Sequence, residues 1–379
     1  MKKILSMVSI LGITLGTVIV SCSGDSDSAD SGNSTSTTGG GASDNAVGTT
    51  GAASVAATDV TACGSVTGVS KIVCLTEQLK ATLTSSQLAA LQLDYTYTNI
   101  KTWSNLPAAM SARKGIPLGN LNATQVGIAK AIIKEMSGTA ANEGYDEIQQ
   151  LLYADNYLNA NGGGSTYGSG NFYLAFFGTP SATGKFEIMF TGHHKTIANT
   201  YNNGALVAAT PLFTATEPLS FAVNSTTYAP MDQEKNAIVA LLGALSSTQL
   251  ATAKASTTFT DLVCGPNANW SFPTAFSGLQ CSALDATQKA LVLNVIKTYV
   301  NDVSDTNAAS ILATYTSELD NTYIYYSGNT SMTVKNDYFR IAGPKVWIEF
   351  SVQGGIVLSG VHYHSIWRDR VNDYATTNS

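Results

Sequence analysis

Two phrases of this sequence occur twice, in the same order and at a nearly constant offset. Leu83-Thr84-Ser85-Ser86-Gln87-Leu88-Ala89 returns as Leu245-Ser246-Ser247-Thr248-Gln249-Leu250-Ala251. Leu121-Asn122-Ala123-Thr124-Gln125 returns as Leu284-Asp285-Ala286-Thr287-Gln288. Weaker echoes follow: Trp103-Ser104 with Pro107 matches Trp270-Ser271 with Pro273, and Gly178-Thr179-Pro180 matches Gly343-Pro344. Self-similarity at a fixed period reads as an internal duplication, and a duplicated chain must fold into two related units.

The repeated phrases carry a local instruction. In each, Thr84, Asn122, Ser246 or Asp285 is followed three residues later by glutamine. That spacing is a capping box: the first side chain accepts from an orphan backbone N–H, and the glutamine reaches back to the cap. Apolar residues then recur at helical spacing, Ile128, Ala131, Ile132 and Met136 after the second box, and Leu291, Val292, Val295, Ile296 and Val300 after the fourth. These stripes predict the buried faces of amphipathic helices. Alternating Tyr, Phe, Val and Ile predict strands at 171–178, 185–191 and 205–212, then at 322–326, 331–342, 345–352 and 356–364. Helices followed by strands, twice over, imply an α+β protein of two pseudo-repeated halves, 61–230 and 231–379. Each half would be helices followed by antiparallel strands, with the two sheets meeting at a shared interface.

The N-terminus reads as an address. Lys2-Lys3 precede an apolar run that ends in Ile19-Val20-Ser21-Cys22, the pattern of a lipoprotein signal peptide over 1–21 with Cys22 as the lipidated residue. Residues 22–60 are mostly Ser, Gly, Asp, Thr, Ala and Asn and predict a disordered tether. The expected location is the bacterial cell envelope, anchored in the outer membrane through Cys22, on its periplasmic or surface face. The other cysteines are Cys63, Cys74, Cys264 and Cys281. In an exported protein an even count suggests disulfides, and local pairing, Cys63–Cys74 with Cys264–Cys281, is the simplest of three connectivities.

Charge narrows the partners. Formal net charge is −6, and charged residues make up 12% of the chain. There are four arginines: Arg113, Arg340, Arg368 and Arg370. An acidic, arginine-poor protein is a poor binder of nucleic acid. The chain has no G-x-S-x-G, G-x-G-x-x-G, P-loop or H-E-x-x-H sequence, which argues against the hydrolase elbow, the nucleotide folds and the zincin helix. Gly162-Gly163-Gly164-Ser165 reads as a loop.

All four histidines fall in two clusters, His193-His194 and His362-Tyr363-His364. On a strand, His362 and His364 share a face, as in metal sites built on sheets, whereas His193 and His194 would face opposite sides. One of the latter can therefore join His362 and His364. Three imidazoles with an open fourth position suit a catalytic metal, and zinc, copper, nickel and iron all accept this ligand. Glu349, Asp369 and Asp373 are candidates to hold the second ring nitrogen. Arg368 is a candidate clamp for an anionic group. Competing readings are a non-enzymatic pocket for an anionic or sugar ligand, lined by the histidines and Arg368, and purely structural histidines. Tyr167, Tyr173, Tyr325, Tyr326 and Trp347 are candidates for a sugar-binding surface.

Several of these residues recur together. Trp103-Ser104-Asn105-Leu106-Pro107, Arg113-Lys114-Gly115, Phe177-Gly178-Thr179-Pro180-Ser181 and Phe190-Thr191-Gly192-His193-His194 mark the N-terminal part. His362-Tyr363-His364-Ser365-Ile366-Trp367-Arg368-Asp369 with Asn372-Asp373-Tyr374 marks the C-terminal part. From Leu83 to Tyr374 the chain resembles the bacterial "domain of unknown function 3500" family. It departs from that pattern at Lys195, where an apolar residue is typical, and at Ala375, where glycine closes the motif. The resemblance implies an exported, often lipid-anchored protein and supplies no reaction.

Overall fold

In the computed structural model the described residues are 50–376. The signal peptide, Cys22 and most of the expected tether lie outside them. Residues 50–60, expected to belong to the tether, are in part held against the fold. Ala52 and Ala53 are buried, Lys130 Nζ donates to the carbonyls of Ala52, Ala53 and Val55, and the Thr58 amide donates to Gly127. No helix among the described residues is long and apolar enough to cross a membrane.

All four capping boxes form, at Thr84, Asn122, Ser246 and Asp285. They open α2 (Ser85–Leu91), α4 (Ala123–Met136), α7 (Ser247–Ala253) and α8 (Ala286–Val300). The other helices are α1 (Gly68–Lys80), α3 (Tyr97–Ile100), α5 (Gly144–Leu158), α6 (Asp232–Gly243) and α9 (Asp305–Ser317). The capping glutamines have a second task. Gln87 and Gln125 donate to the carbonyls of Asn120 and Thr82, and so tie the start of α2 to the start of α4. Gln249 and Gln288 do the same between α7 and α8 through Ala283 and Ala244.

The strands are β1 (Gln92–Leu93), β2 (Ile116–Pro117), β3 (Tyr173–Phe177), β4 (Phe186–Gly192), β5 (Lys195–Asn202), β6 (Ala205–Ala208) and β7 (Leu212–Thr216). A small hairpin, β8 (Phe221–Val223) with β9 (Thr226–Tyr228), stands apart. Then come β10 (Leu279–Gln280), β11 (Tyr323–Ser327), β12 (Tyr338–Ala342), β13 (Val346–Gly354) and β14 (Val361–Asp369). Twelve strands form one mixed sheet in the order β1-β3-β4-β5-β7-β14-β13-β12-β11-β10, with β2 on β3 and β6 on β5. The fold is α+β. Strands from the two parts of the chain share this sheet, joined by antiparallel pairing of β7 with β14.

Each strand presents alternate residues to two different layers. Leu174, Phe176, Ile188, Phe190, Ile341, Ile348 and Trp367 pack into the main core with the helices. Ala175, Phe177, Met189, Phe213 and Ile366 face the other way, against Ile100, Trp103, Leu262 and Tyr374. This second face is covered mainly by the long loops before β2 and before β10, with the short α3 and Tyr374 beside them.

The sheet also decides the disulfides. Cys63 is bonded to Cys74. Cys264 and Cys281 are free and buried, contrary to the expected second bridge. Cys264 packs on Ala342 and Trp347 beneath the loops. Cys281 sits in the helix-side core, so the sheet separates the two sulfurs.

Glu187, on the loop-covered face of β4, is fully buried and accepts from the Thr200 hydroxyl at 2.8 Å. Burial pushes its carboxyl up to about 8, against the opposing effect of that hydrogen bond. An unfolded glutamate titrates near ~4.3. The folded state therefore holds an extra proton between these values, and the stability this confers is lost as pH rises through about 8. In thermal unfolding from roughly pH 5 to 8, Glu187→Gln should flatten part of the decline seen in the unaltered chain. Parallel curves for the two proteins would refute the assignment.

Candidate metal centre

The histidines meet where the sheet's two sets of strands join. β14 reads Val361-His362-Tyr363-His364-Ser365-Ile366-Trp367-Arg368-Asp369, and its alternation puts His362, His364, Ile366 and Arg368 on the loop-covered face. Tyr363 and Trp367 point to the helices. The expected strand at 356–364 is displaced: residues 355–360 form a loop, so the two histidines lie near the start of β14, not its end. His193 and His194 are not on a strand. They are the two turn residues of the β4–β5 hairpin, closed by the Gly192–Lys195 pair. Their rings are therefore not on opposite faces but stacked, with centroids 3.6 Å apart.

The turn is set against its neighbours by the His194 carbonyl, which accepts from the Ala215 amide of β7 at 2.8 Å. His194 has a positive φ of 69°, a left-handed conformation that histidine adopts more readily than most side chains but still at some cost. Its ring lies 5.5 Å from that of His362 and 5.7 Å from that of His364. Nε2 of His362 and Nε2 of His364 are 3.0 Å apart. His194, His362 and His364 each offer a nitrogen within 4.8 Å of the others, and all three are buried. His193 is outside that set and flanks it, with its Nδ1 2.6 Å from Asp155 Oδ1 and its ring edge-on to Tyr167.

Burial makes His194 and His362 poor bases. His362 is pushed down to about 3, by desolvation first and then by His364 and His193. His194 is pushed well below its usual value by desolvation and by the other three histidines. Near neutral pH both are neutral, with a lone pair available. Asp261, from the loop before β10, pairs with His364 Nδ1 at 3.0 Å. Burial opposes its ionisation, but the hydrogen bond and charge of His364 hold it below the usual carboxylate range. The groups that could hold a metal are thus three imidazoles, one of them oriented by a carboxylate.

The other expected site residues serve the scaffold. Glu349 accepts from the amides of Val263 and Cys264, from Tyr338 and from Trp347. Arg368 is fully buried and donates to Asp373 at 2.6 Å and to the carbonyls of Cys264 and Gly265. Asp369 accepts from the amides of Val371 and Asn372. None of the four hydrogen-bonds a histidine, because their partners pin the covering loop and the C-terminus onto the sheet. Nor do the aromatics form one surface. Tyr325 and Trp347 flank Arg340, Tyr326 is in the helix-side core, and Tyr167 sits at His193. The two carboxylates that do hold histidines, Asp155 and Asp261, are distant in sequence from both clusters and carried no signal of their own.

Fold and site together define an α+β protein with a buried three-histidine centre able to hold a metal ion. The chain belongs to the family described as protein of unknown function (DUF3500), whose sequence pattern matches residues 66–376. No curated protein and no solved structure shows a significant match to it.

The Arg368–Asp373 pair gives a direct test of these roles. Arg368→Ala leaves Asp373 buried without its partner, which should cost about 3–5 kcal/mol of stability by denaturant titration. Metal content per folded molecule should be unaffected. A variant of unchanged stability would refute the scaffold role.

Proposed function

We propose that this protein binds one divalent transition-metal ion, zinc, copper or nickel, through His194, His362 and His364. The single observation that carries the reading is the convergence of three buried imidazoles whose nitrogens lie within 4.8 Å of one another. Zinc–nitrogen bonds of ~2.0–2.1 Å in tetrahedral geometry put ligand nitrogens roughly 3.3 Å apart. The 3.0 Å between His362 and His364 is close to that spacing. The donor set is all nitrogen, which suits these metals and is poor for magnesium or calcium. Three protein ligands leave a position free, and a metal there would supply Lewis acidity and an activated water, the chemistry of a metal-dependent hydrolase.

The chain's own residues would prepare the site. Asp261 fixes the tautomer and orientation of His364, and Asp155 does the same for His193 beside the ligands. The Lys195 ammonium, on the helix side, anchors the hairpin that carries His194. We further read the two parts of the chain as copies of one unit, supported by the matching glutamine ties between α2 and α4 and between α7 and α8. The placement we propose is the bacterial envelope, tethered through Cys22, on the strength of the basic, apolar and Ser21-Cys22 sequence.

Metal analysis by mass spectrometry tests the reading. The full chain equilibrated with zinc, copper or nickel at ~10 µM, well above the dissociation constants of ordinary histidine sites, should retain about one equivalent of one of them. His362→Ala should retain none. Asp261→Asn should bind ~10–100-fold more weakly while staying folded. A folded, unaltered chain that holds no metal would sink the proposal.

A further inference from the structure

A cleft of about 310 Å³ opens beside the His364–Asp261 pair, between the loop around Asn105 and the loop from Asp261 to Ala268. Its volume is at the lower end of small-molecule sites. Its chemistry is selective. Asp261 is the sole carboxylate in the lining and is paired with His364, and no lysine or arginine contributes to it. Arg113, the arginine nearest Asn105 in sequence, does not line the cleft; its guanidinium is committed to the carbonyls of Ser104 and Leu106. The lining itself would therefore offer an anionic ligand a carboxylate and no lysine or arginine, on a protein of net charge −6.

The hydrogen-bonding groups that remain are uncharged or accepting. Asn105 and Asn267 line the cleft from its two loops, and neither carboxamide is engaged by another described side chain. Asp261 spends Oδ1 on His364 and on the Leu262 amide, which leaves Oδ2 as a free acceptor on a side chain 49% exposed. Leu106, Phe213, Leu262, Val263 and Pro266 supply most of the apolar part of the wall. Two carboxamides that both donate and accept, one carboxylate oxygen and an apolar wall match a ring bearing hydroxyl groups on one side and C–H groups on the other.

We propose that this cleft is the ligand subsite of the histidine centre and takes a small uncharged polyhydroxy ligand, the chemistry of a neutral sugar ring. Its role as a substrate subsite rests on the metal reading above. Its ligand class does not, since it follows from the lining alone.

The test is calorimetric titration of the full chain, metal-loaded and metal-stripped, with glucose, galactose and N-acetylglucosamine. Glucuronate and glucose 6-phosphate are the charged counterparts. At least one neutral sugar should bind, and its anionic counterparts should bind at least ~10-fold more weakly. Asn105→Ala and Asn267→Ala should each weaken binding by ~5–10-fold, the worth of one hydrogen bond, with metal content unchanged. No binding of any neutral sugar, or an anionic form bound as tightly as the neutral one, would overturn the assignment. Sugar binding that depends on Asn105 in a chain that takes up no metal would uphold the ligand class and overturn the metal reading alone.

Discussion

The pairing of β7 with β14 is the constraint on which the site depends. It aligns Tyr363 with Thr216, His364 with Ala215 and Ile366 with Phe213. Side chains alternate with a period of two, so a slip of one residue would turn His362 and His364 into the helix-side core and Tyr363 and Trp367 out of it. The main core therefore enforces the register through residues with no part in the chemistry. Trp367 is nearly fully buried, and its indole N–H donates to the Tyr315 hydroxyl at 3.0 Å. Any slip would strand that group and expose the ring. The histidines sit on the opposite side of a strand whose position is fixed by hydrophobic burial.

A second device works from the helix side. Lys195 follows His194 directly and is fully buried. Its ammonium donates to Glu147 at 2.5 Å, to Thr214 at 2.8 Å and to Asp302 at 2.9 Å. Desolvation opposes the charge, but Asp302 and Glu147 together keep the ammonium protonated. Glu143 is adjacent and is pushed up to about 12, by burial first and then by Glu234, Asp302 and Glu147, so it is neutral at physiological pH. A buried ion pair contributes little net stability compared with an apolar replacement. What it supplies is position. The Lys195 charge has its partners only when the β4–β5 hairpin lies over the start of α5 and the end of α8, and that placement sets the left-handed His194 beside β14. The surrounding acids explain how a buried lysine charge is accommodated at this position.

The parts of this fold legible in sequence are those encoded locally. Capping boxes concern four residues at a time, and all four formed. Alternation marked β3, β4, β12 and β13 because their buried residues are aromatic or aliphatic. β5 escaped notice because Lys195-Thr196-Ile197-Ala198-Asn199-Thr200-Tyr201-Asn202 is largely polar yet buried, its polar groups satisfied by partners from other elements. Without β5 the hairpin turn was invisible, and His193 and His194 read as strand neighbours. Asp155 and Asp261 were missed for the same reason, since only the packed chain brings them to a histidine. The second disulfide failed because proximity in sequence says nothing about which face of a sheet a cysteine occupies.

The histidine centre combines two opposing demands. Metal ligands must be neutral near physiological pH, and burial achieves this for His194 and His362 at the expense of their solvation. Yet four imidazoles packed in contact, with a carboxylate at either end, form a polar inclusion between a sheet and two loops, and a polar inclusion is stable only if its groups find partners. Asp155 and Asp261 satisfy the outer members, His193 and His364. The inner members, His194 and His362, face mainly other imidazoles, and rings without ionised protons can share few hydrogen bonds among themselves. A cation at their centre would engage ring nitrogens that lie within 4.8 Å of one another. Convergence of the rings, more than their number, is therefore what supports the metal-binding reading.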